Sequence, residues 1–310
     1  MKKLSAIAFV LLAGTFLPAQ DGQVGTESPT AVVAPPFVNR PHLSFGGGTL
    51  LYQEHDFTLA PGLKSHFREP VFGMNMGWDF IFSGHHAVTL DLEYFGTATG
   101  MENWKENGAL TQENDLQIQR IGFGPGYLFS TWDRAIPPGE LQGASRMIRF
   151  AAGIMAPQYR HQQFERDEFV NTTTSPPTSL EGSATETFDM VGAEVILEFE
   201  VGPRPILAGF FRGRAGGEYV LVMNDGLEPL VDREDTDIDT AGVHGTVEAG
   251  VISQFIPNVE IRAGYRYHRQ EVFHEKKNVI TGPNGQGLSL ELPDNTTELQ
   301  MVFVEAAFIF

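Results

Sequence analysis

At 310 residues the chain has room for one large β domain or two small ones, and with no Cys it carries no disulfide, no Cys-linked lipid anchor and no Cys-ligated metal. Its formal charge of −18, which becomes −20 once Lys2 and Lys3 leave with a leader, argues against nucleic acid as a partner. The 34 Gly and 24 Phe suit short strands of alternating small and aromatic residues better than helices.

The chain opens with Lys2 and Lys3, an apolar run from Ala6 to Leu17, and Pro18-Ala19-Gln20. A basic start, a short apolar stretch and a small residue mark residues 1–20 as a secretory signal peptide, too short to span a bilayer as a helix. Residues 21–41, rich in Pro, Thr, Gly and Val without period, read as a flexible periplasmic linker. No later stretch approaches the roughly 20 apolar residues of a membrane helix. A membrane location therefore requires a closed barrel, which satisfies its own backbone groups.

From residue 42 to 310 the pattern has period two. Phe72, Met74, Met76, Trp78, Phe80 and Phe82 share one face, while Val71, Gly73, Asn75, Gly77, Asp79 and Ile81 share the other. Val88, Leu90, Leu92 and Tyr94 repeat this against Thr89, Asp91 and Glu93, after the short turn 83–86. Strands are expected near 42–53, 71–82, 87–98, 116–129, 147–158, 188–201, 206–223, 241–256, 259–270 and 298–310. Connections 83–86, 202–205 and 257–258 are short; 54–70, 99–115, 159–187, 224–240 and 271–297 are long. That alternation fits an all-β fold, a transmembrane antiparallel up-and-down β-barrel of about ten strands with both termini periplasmic. Connection 130–146 is longer than its position requires; it and 159–187 leave eight or twelve strands as alternatives. In 116–129, Leu116 and Ile118 are out of phase with Ile121, Phe123, Tyr127 and Phe129, so a bulge is expected near Gln119-Arg120.

A soluble β-sandwich is the rival fold. It does not explain why the aromatics fall near strand ends: Phe80, Phe82, Phe255, Phe308 and Phe310 at the turn side, and Phe72, Tyr94, Tyr265 and Tyr267 at the loop side. Two such belts belong to two membrane interfaces. Val302, Val304, Ala306, Phe308 and Phe310 alternate to the end of the chain, which resembles the closing strand of bacterial outer-membrane barrels. The resemblance implies an outer-membrane location among lipid and lipopolysaccharide, with Phe308 and Phe310 as the signal read by the barrel-assembly machinery. Arg149-Phe150-Ala151-Ala152-Gly153, Val191-Gly192-Ala193-Glu194 with Phe199-Glu200, Phe211 to Gly217, and Arg262 to Tyr267 resemble a narrower group, the pore-forming barrels akin to the Legionella major outer-membrane protein.

The inward phase is charged. Asp79, Asp91, Glu93, Glu194, Glu198, Glu200 and Glu248 are acidic, and Arg149, Arg212, Arg214, Arg262 and Arg266 are basic. They either fill a narrow lumen as ion pairs or line a path for ions or small solutes. The expected function is accordingly a narrow, non-enzymatic pore, against a plugged barrel acting through its long loops in adhesion or surface binding. A third alternative is a rim protease like the ten-stranded omptins, with His55 and Asp56, His161, Asp189 and His268 as candidates. Polar residues at a rim are more often simply solvated. The run Asp235-Thr236-Asp237-Ile238-Asp239 lacks the Gly and Glu of a calcium loop and reads as a solvated acidic loop. No His spacing suggests a metal, and no cofactor motif is present.

Overall fold

The computed structural model describes residues 38–58, 60–132, 148–179, 182–202, 207–224, 237–256, 258–279 and 288–310. The expected signal peptide, all but the end of the linker, and most of connection 130–146 lie outside the described residues.

Among those residues there is strand and no helix. In chain order the strands are β1 (Val38–His55), β2 (Leu63–Ser83), β3 (His86–Thr97), β4 (Gly100–Glu106), β5 (Ala109–Ser130), β6 (Ile148–Asn171), β7 (Thr178–Ser179), β8 (Ala184–Val201), β9 (Ala208–Asn224), β10 (Ile238–Ile256), β11 (Val259–Val272), β12 (Glu275–Val279), β13 (Leu288–Leu292) and β14 (Asp294–Phe308). Ten of them form a closed antiparallel ring, β1-β2-β3-β5-β6-β8-β9-β10-β11-β14, with β14 returning to β1. At the loop end β4 pairs with β2 and β5, and β7 with β6, while β12 and β13 form a separate hairpin. Asn39 and Phe310 exchange both backbone hydrogen bonds and tie the end of the chain to the first strand.

All ten expected strands are present, and most are longer than expected. β1 begins at Val38, so residues 38–41 of the expected linker belong to the barrel. β2 starts at Leu63, β6 runs to Asn171, β8 starts at Ala184 and β14 at Asp294, so much of the expected loops 54–70, 159–187 and 271–297 is strand. Expected loop 99–115 is the β4–β5 hairpin, turning at Asn107-Gly108 with φ of 50° and 88°. That Asn-Gly pair is the usual signature of a tight hairpin turn.

The expected bulge near Gln119-Arg120 is absent. Gln119 and Arg120 pair without interruption with Gly96 and Phe95 on one side and with Gln163 and Gln162 on the other. The strand keeps its phase and the environment inverts instead. Toward the turn end, Phe72, Met76, Trp78, Val195, Leu197, Val302 and Val304 are exposed on the outer wall. From Phe72 to Phe82 this apolar band is about 25 Å tall for a strand tilted by about 40°, the height of a bilayer's hydrocarbon layer. Toward the loop end the outward positions become Lys64, His66, Arg68, Gln117, Gln119, Gln163 and Glu165, and the inward ones become apolar. There Leu50, Tyr52, Phe67, Leu116, Ile118, Phe164, Phe188 and Met190 fill the interior. Phe164 lies between Tyr52 and Phe188, with ring centroids 4.7 and 4.9 Å away. A true irregularity sits lower, where β6 carries one extra residue between Met155 and Gln158.

Candidate functional site

Inward residues of neighbouring strands stack in charged layers below the apolar section. At the turn end, Arg262 meets Glu198 (3.0 Å), Glu200 (3.4 Å), Glu260 (2.9 Å) and Glu305 (3.7 Å) while only 1 % exposed. Arg149 holds Glu200 at 3.0 Å, and Arg40 joins Asp79 (2.8 Å) to Glu260. In the next layer Glu248 lies 3.3 Å from Arg212 and 2.6 Å from Arg266, and Asp91 lies 3.1 Å from Arg214 and 3.4 Å from His42. Above it, Arg160 reaches Glu93 (3.4 Å), Glu194 (3.0 Å) and Glu218 (3.0 Å), and Arg120 reaches Glu93 (3.2 Å). His244 sits between Glu194 (3.1 Å) and Glu218 (3.3 Å).

Small residues make room for these groups. A Cβ on Gly77 would lie 2.3 Å from His42 Nε2 and 2.5 Å from Asp91 Oδ1, so the pair fits only over a glycine. A Cβ on Gly122 would lie 2.7 Å from Glu93.

Each of Asp79, Asp91, Glu93, Arg149, Glu194, Glu198, Glu200, Arg212, Arg214, Glu248, Arg262 and Arg266 thus lies inside the barrel in at least one ion pair. Sequence reasoning missed Arg40, Arg120, Arg160, Glu218, His244, Glu260 and Glu305, which complete the layers. Glu305 shares the inward phase opposite Val304 and Ala306, and Glu260 lies two residues from Arg262, so strict alternation alone would have found both. Within the charged part a cavity of about 30 Å³ remains, bordered by Glu93, Arg120, Arg160, Glu194 and His268. That is room for about one water molecule.

A further charged group caps the apolar section at the loop end. Arg166 binds Glu102 (2.8 Å), Glu186 (3.1 Å) and Glu54. Tyr52 Oη lies 2.7 Å from both Glu54 and Asn295, and Asn114 donates to Glu102 at 3.0 Å. Glu54 is beyond the apolar band, and burial pushes its carboxyl up to about 7, against the pull of Arg166 and with a further push from Glu186 and Glu102.

The rim candidates separate. His268 is buried in the lumen, not at the rim, with Arg120 at 2.9 Å and Thr246 at 2.8 Å. Its strand places it on the inward phase, below the apolar section. His161 and Asp189 pair at 2.7 Å, with Tyr159 donating to Asp189 at 3.1 Å, on the outward phase of β6 and β8. His55 and Asp56 pair at 2.8 Å at the tip of β1. Of the acidic run, residues 235 and 236 lie outside the described residues, Ile238 is buried, and Asp239 accepts a hydrogen bond from Tyr219 at 2.6 Å as β10 begins. The belt aromatics Phe72, Phe82, Tyr94, Tyr265, Phe308 and Phe310 are exposed on the outer wall, whereas the Phe255 side chain lies outside the described residues.

No family model and no curated protein matches the sequence. Among solved structures the chain is similar to the outer membrane protease OmpT from Escherichia coli, with a TM-score of 0.58 at 8% identity over 89% of this chain and 97% of that one. It also aligns with the translocator domain of the autotransporter NalP from Neisseria meningitidis (TM-score 0.35, 8% identity, 88% of each chain). The P. putida toluene transporter TodX aligns at a TM-score of 0.28 and 7% identity, over 89% of this chain and 91% of that one. The last two scores are too low to carry an argument, and at 8% identity the first speaks for fold alone. Nothing in these similarities supports the narrower resemblance to the Legionella group. A closed ring of ten antiparallel strands, an apolar outer band and the match to a solved outer-membrane barrel give this chain the fold of an outer-membrane β-barrel.

Proposed function

We propose that this barrel is sealed across its lumen and acts at its loop end, as a surface-binding or adhesive protein, rather than as the open narrow pore expected from the charge pattern. The observation that carries this reading is the filled interior. Ion-paired layers lie below, and Leu50, Phe67, Ile118, Phe164 and Phe188 lie packed above them. A hydrated ion would have to break buried pairs and then cross an apolar section. Small barrels of eight strands are already filled by side chains, and ten strands remain near that limit. The same reading places the chain in the outer membrane among lipid and lipopolysaccharide, exported by residues 1–20 and delivered to the assembly machinery by Phe308 and Phe310.

The test is ion conductance of the refolded mature protein in a planar bilayer, with a heat-modifiable band on a gel to certify folding. The expected outcome is silence in wild type and in Arg212→Ala. A stable wild-type current altered by Arg212→Ala would overturn the proposal and restore the pore.

The fold match to an outer membrane protease favours one second reading, hydrolysis at the rim. Its geometric support is the His55–Asp56 and His161–Asp189 pairs, since a carboxylate that orients a His is half of such a site. Cleavage of a peptide library that is lost in His161→Ala or His55→Ala would establish it.

A further inference from the structure

The tip of the seam between the first and last strands carries a group that neither the pore nor the plug uses, and of which the protease reading takes only the His55–Asp56 pair. His55 on β1 stands directly opposite Asp294 on β14 in the strand register, and Asp56 follows as the chain leaves β1. The ligand atoms of His55, Asp56 and Asp294 all lie within 4.8 Å of one another. His55 Nδ1 is 2.8 Å from Asp56 Oδ2, while Nε2 is 3.1 Å from the hydroxyl of Thr296, two residues along β14 on the same face. Asp294 in turn accepts the backbone N–H of His274 at 2.5 Å, which fixes its carboxylate.

We propose that His55, Asp56 and Asp294 bind a divalent transition-metal ion, Zn²⁺ or Mn²⁺, at the loop end of the β1–β14 seam. Four features point there. One imidazole and two carboxylates are a donor set that such ions accept, and the imidazole favours them over Ca²⁺ and Mg²⁺, which take oxygen alone. When Nε2 carries its hydrogen and donates it to Thr296, the Nδ1 lone pair faces the Asp56 carboxylate, and a cation between them joins two otherwise repelling acceptors. A ligating His commonly donates its second N–H to such an outer partner, and ligating carboxylates are themselves held by hydrogen bonds, as Asp294 is here. The set is also partly exposed, so an ion can enter and keep water or an outside ligand in its remaining positions. The donors come from opposite ends of the described chain and meet only because the ring closes, so no sequence spacing announces them.

The experiment uses the refolded mature barrel in detergent, with Zn²⁺ as titrant in calorimetry and Mn²⁺ followed by electron paramagnetic resonance. One saturable site per chain is expected. His55→Ala and Asp294→Asn should each weaken it by tenfold or more, and Thr296→Val by about tenfold, the usual result of losing an outer partner. His161→Ala, which breaks the His161–Asp189 pair on the outer wall, should leave it unchanged, and Ca²⁺ should not compete at equal concentration. Failure to saturate in wild type, or equal binding by wild type, His55→Ala and Asp294→Asn, would overturn the assignment. The wild-type Mn²⁺ spectrum needs no variant to fold, and binding is read without conductance, so this inference and the sealed-lumen reading stand or fall separately.

Discussion

The two halves of this barrel are built inside out relative to each other. In the half that meets lipid, Phe72, Trp78, Leu197 and Val304 face outward while Arg262, Glu198, Arg160 and Glu194 face inward. In the half beyond the lipid, Lys64, Arg68, Gln117 and Glu165 face outward while Leu50, Phe67, Ile118 and Phe164 face inward. The backbone does not change between them. β5 runs from Leu116 to Phe123 with no break in register, so the solvent outside the wall, lipid in one half and water in the other, decides which side chains each phase carries. The lesson is that hydrophobic alternation reports a strand, but its phase reports the environment.

The sharpest way to break the comparison is to remove one cation from the charged half. Arg262→Ala leaves Glu198, Glu200, Glu260 and Glu305 buried without it and should cost about 3–5 kcal/mol in guanidinium unfolding. Arg269, which also holds two carboxylates (Glu271 and Glu298) but on the exposed wall of the other half, should change stability by less than about 1 kcal/mol when replaced by Ala. Equal losses would show that the two halves do not differ in burial as described. Next in size is an arginine placed at two outward positions of one strand. Phe123→Arg puts the charge in the apolar band and should cost about 2–4 kcal/mol, whereas Gln117→Arg, above the band, should be nearly neutral. The smallest effect is a titration. Because the Glu54 carboxyl is raised when folded, its contribution is fully present below its unfolded value and is lost as pH rises toward and through about 7. Wild type should therefore lose stability relative to Glu54→Gln between about pH 4.5 and 7, a difference read from parallel unfolding curves at each pH. A difference that does not move with pH would mean that Glu54 stays charged.

The lipid-facing half was legible in the sequence because its signal is strong. Phe72 to Phe82 alternate without error, and Asp91 and Glu93 mark the opposite phase. The other half looks like loop in the sequence because its outward residues are polar and its inward ones are few per segment, so no apolar stripe continues past Phe72. Leu116 and Ile118 are the visible trace of it, and their phase fits a bulge as well as an inversion of environment, so the apolar plug and Arg120 do not show in the pattern. The Asn107-Gly108 turn was a second trace, standing between segments too polar to look like strands. Arg166 and its carboxylates Glu54, Glu102 and Glu186 come from strands β6, β1, β4 and β8, and only the register brings them together.

The ion pairs also bear on how the barrel comes apart. Arg120 on β5 reaches Gln270 on β11, 150 positions further along the chain, and Arg214 on β9 reaches Asp91 on β3, 123 positions back. Such partners do not sit on adjacent strands; they meet across the enclosed space. Peeling one strand from the ring therefore strands charges on the far wall as well as on the near one, and no strand can fray alone at the cost of its own contacts. Unfolding should be cooperative around the whole circumference, and assembly should be slow until the last strand docks, because contacts of such long sequence separation form only after closure.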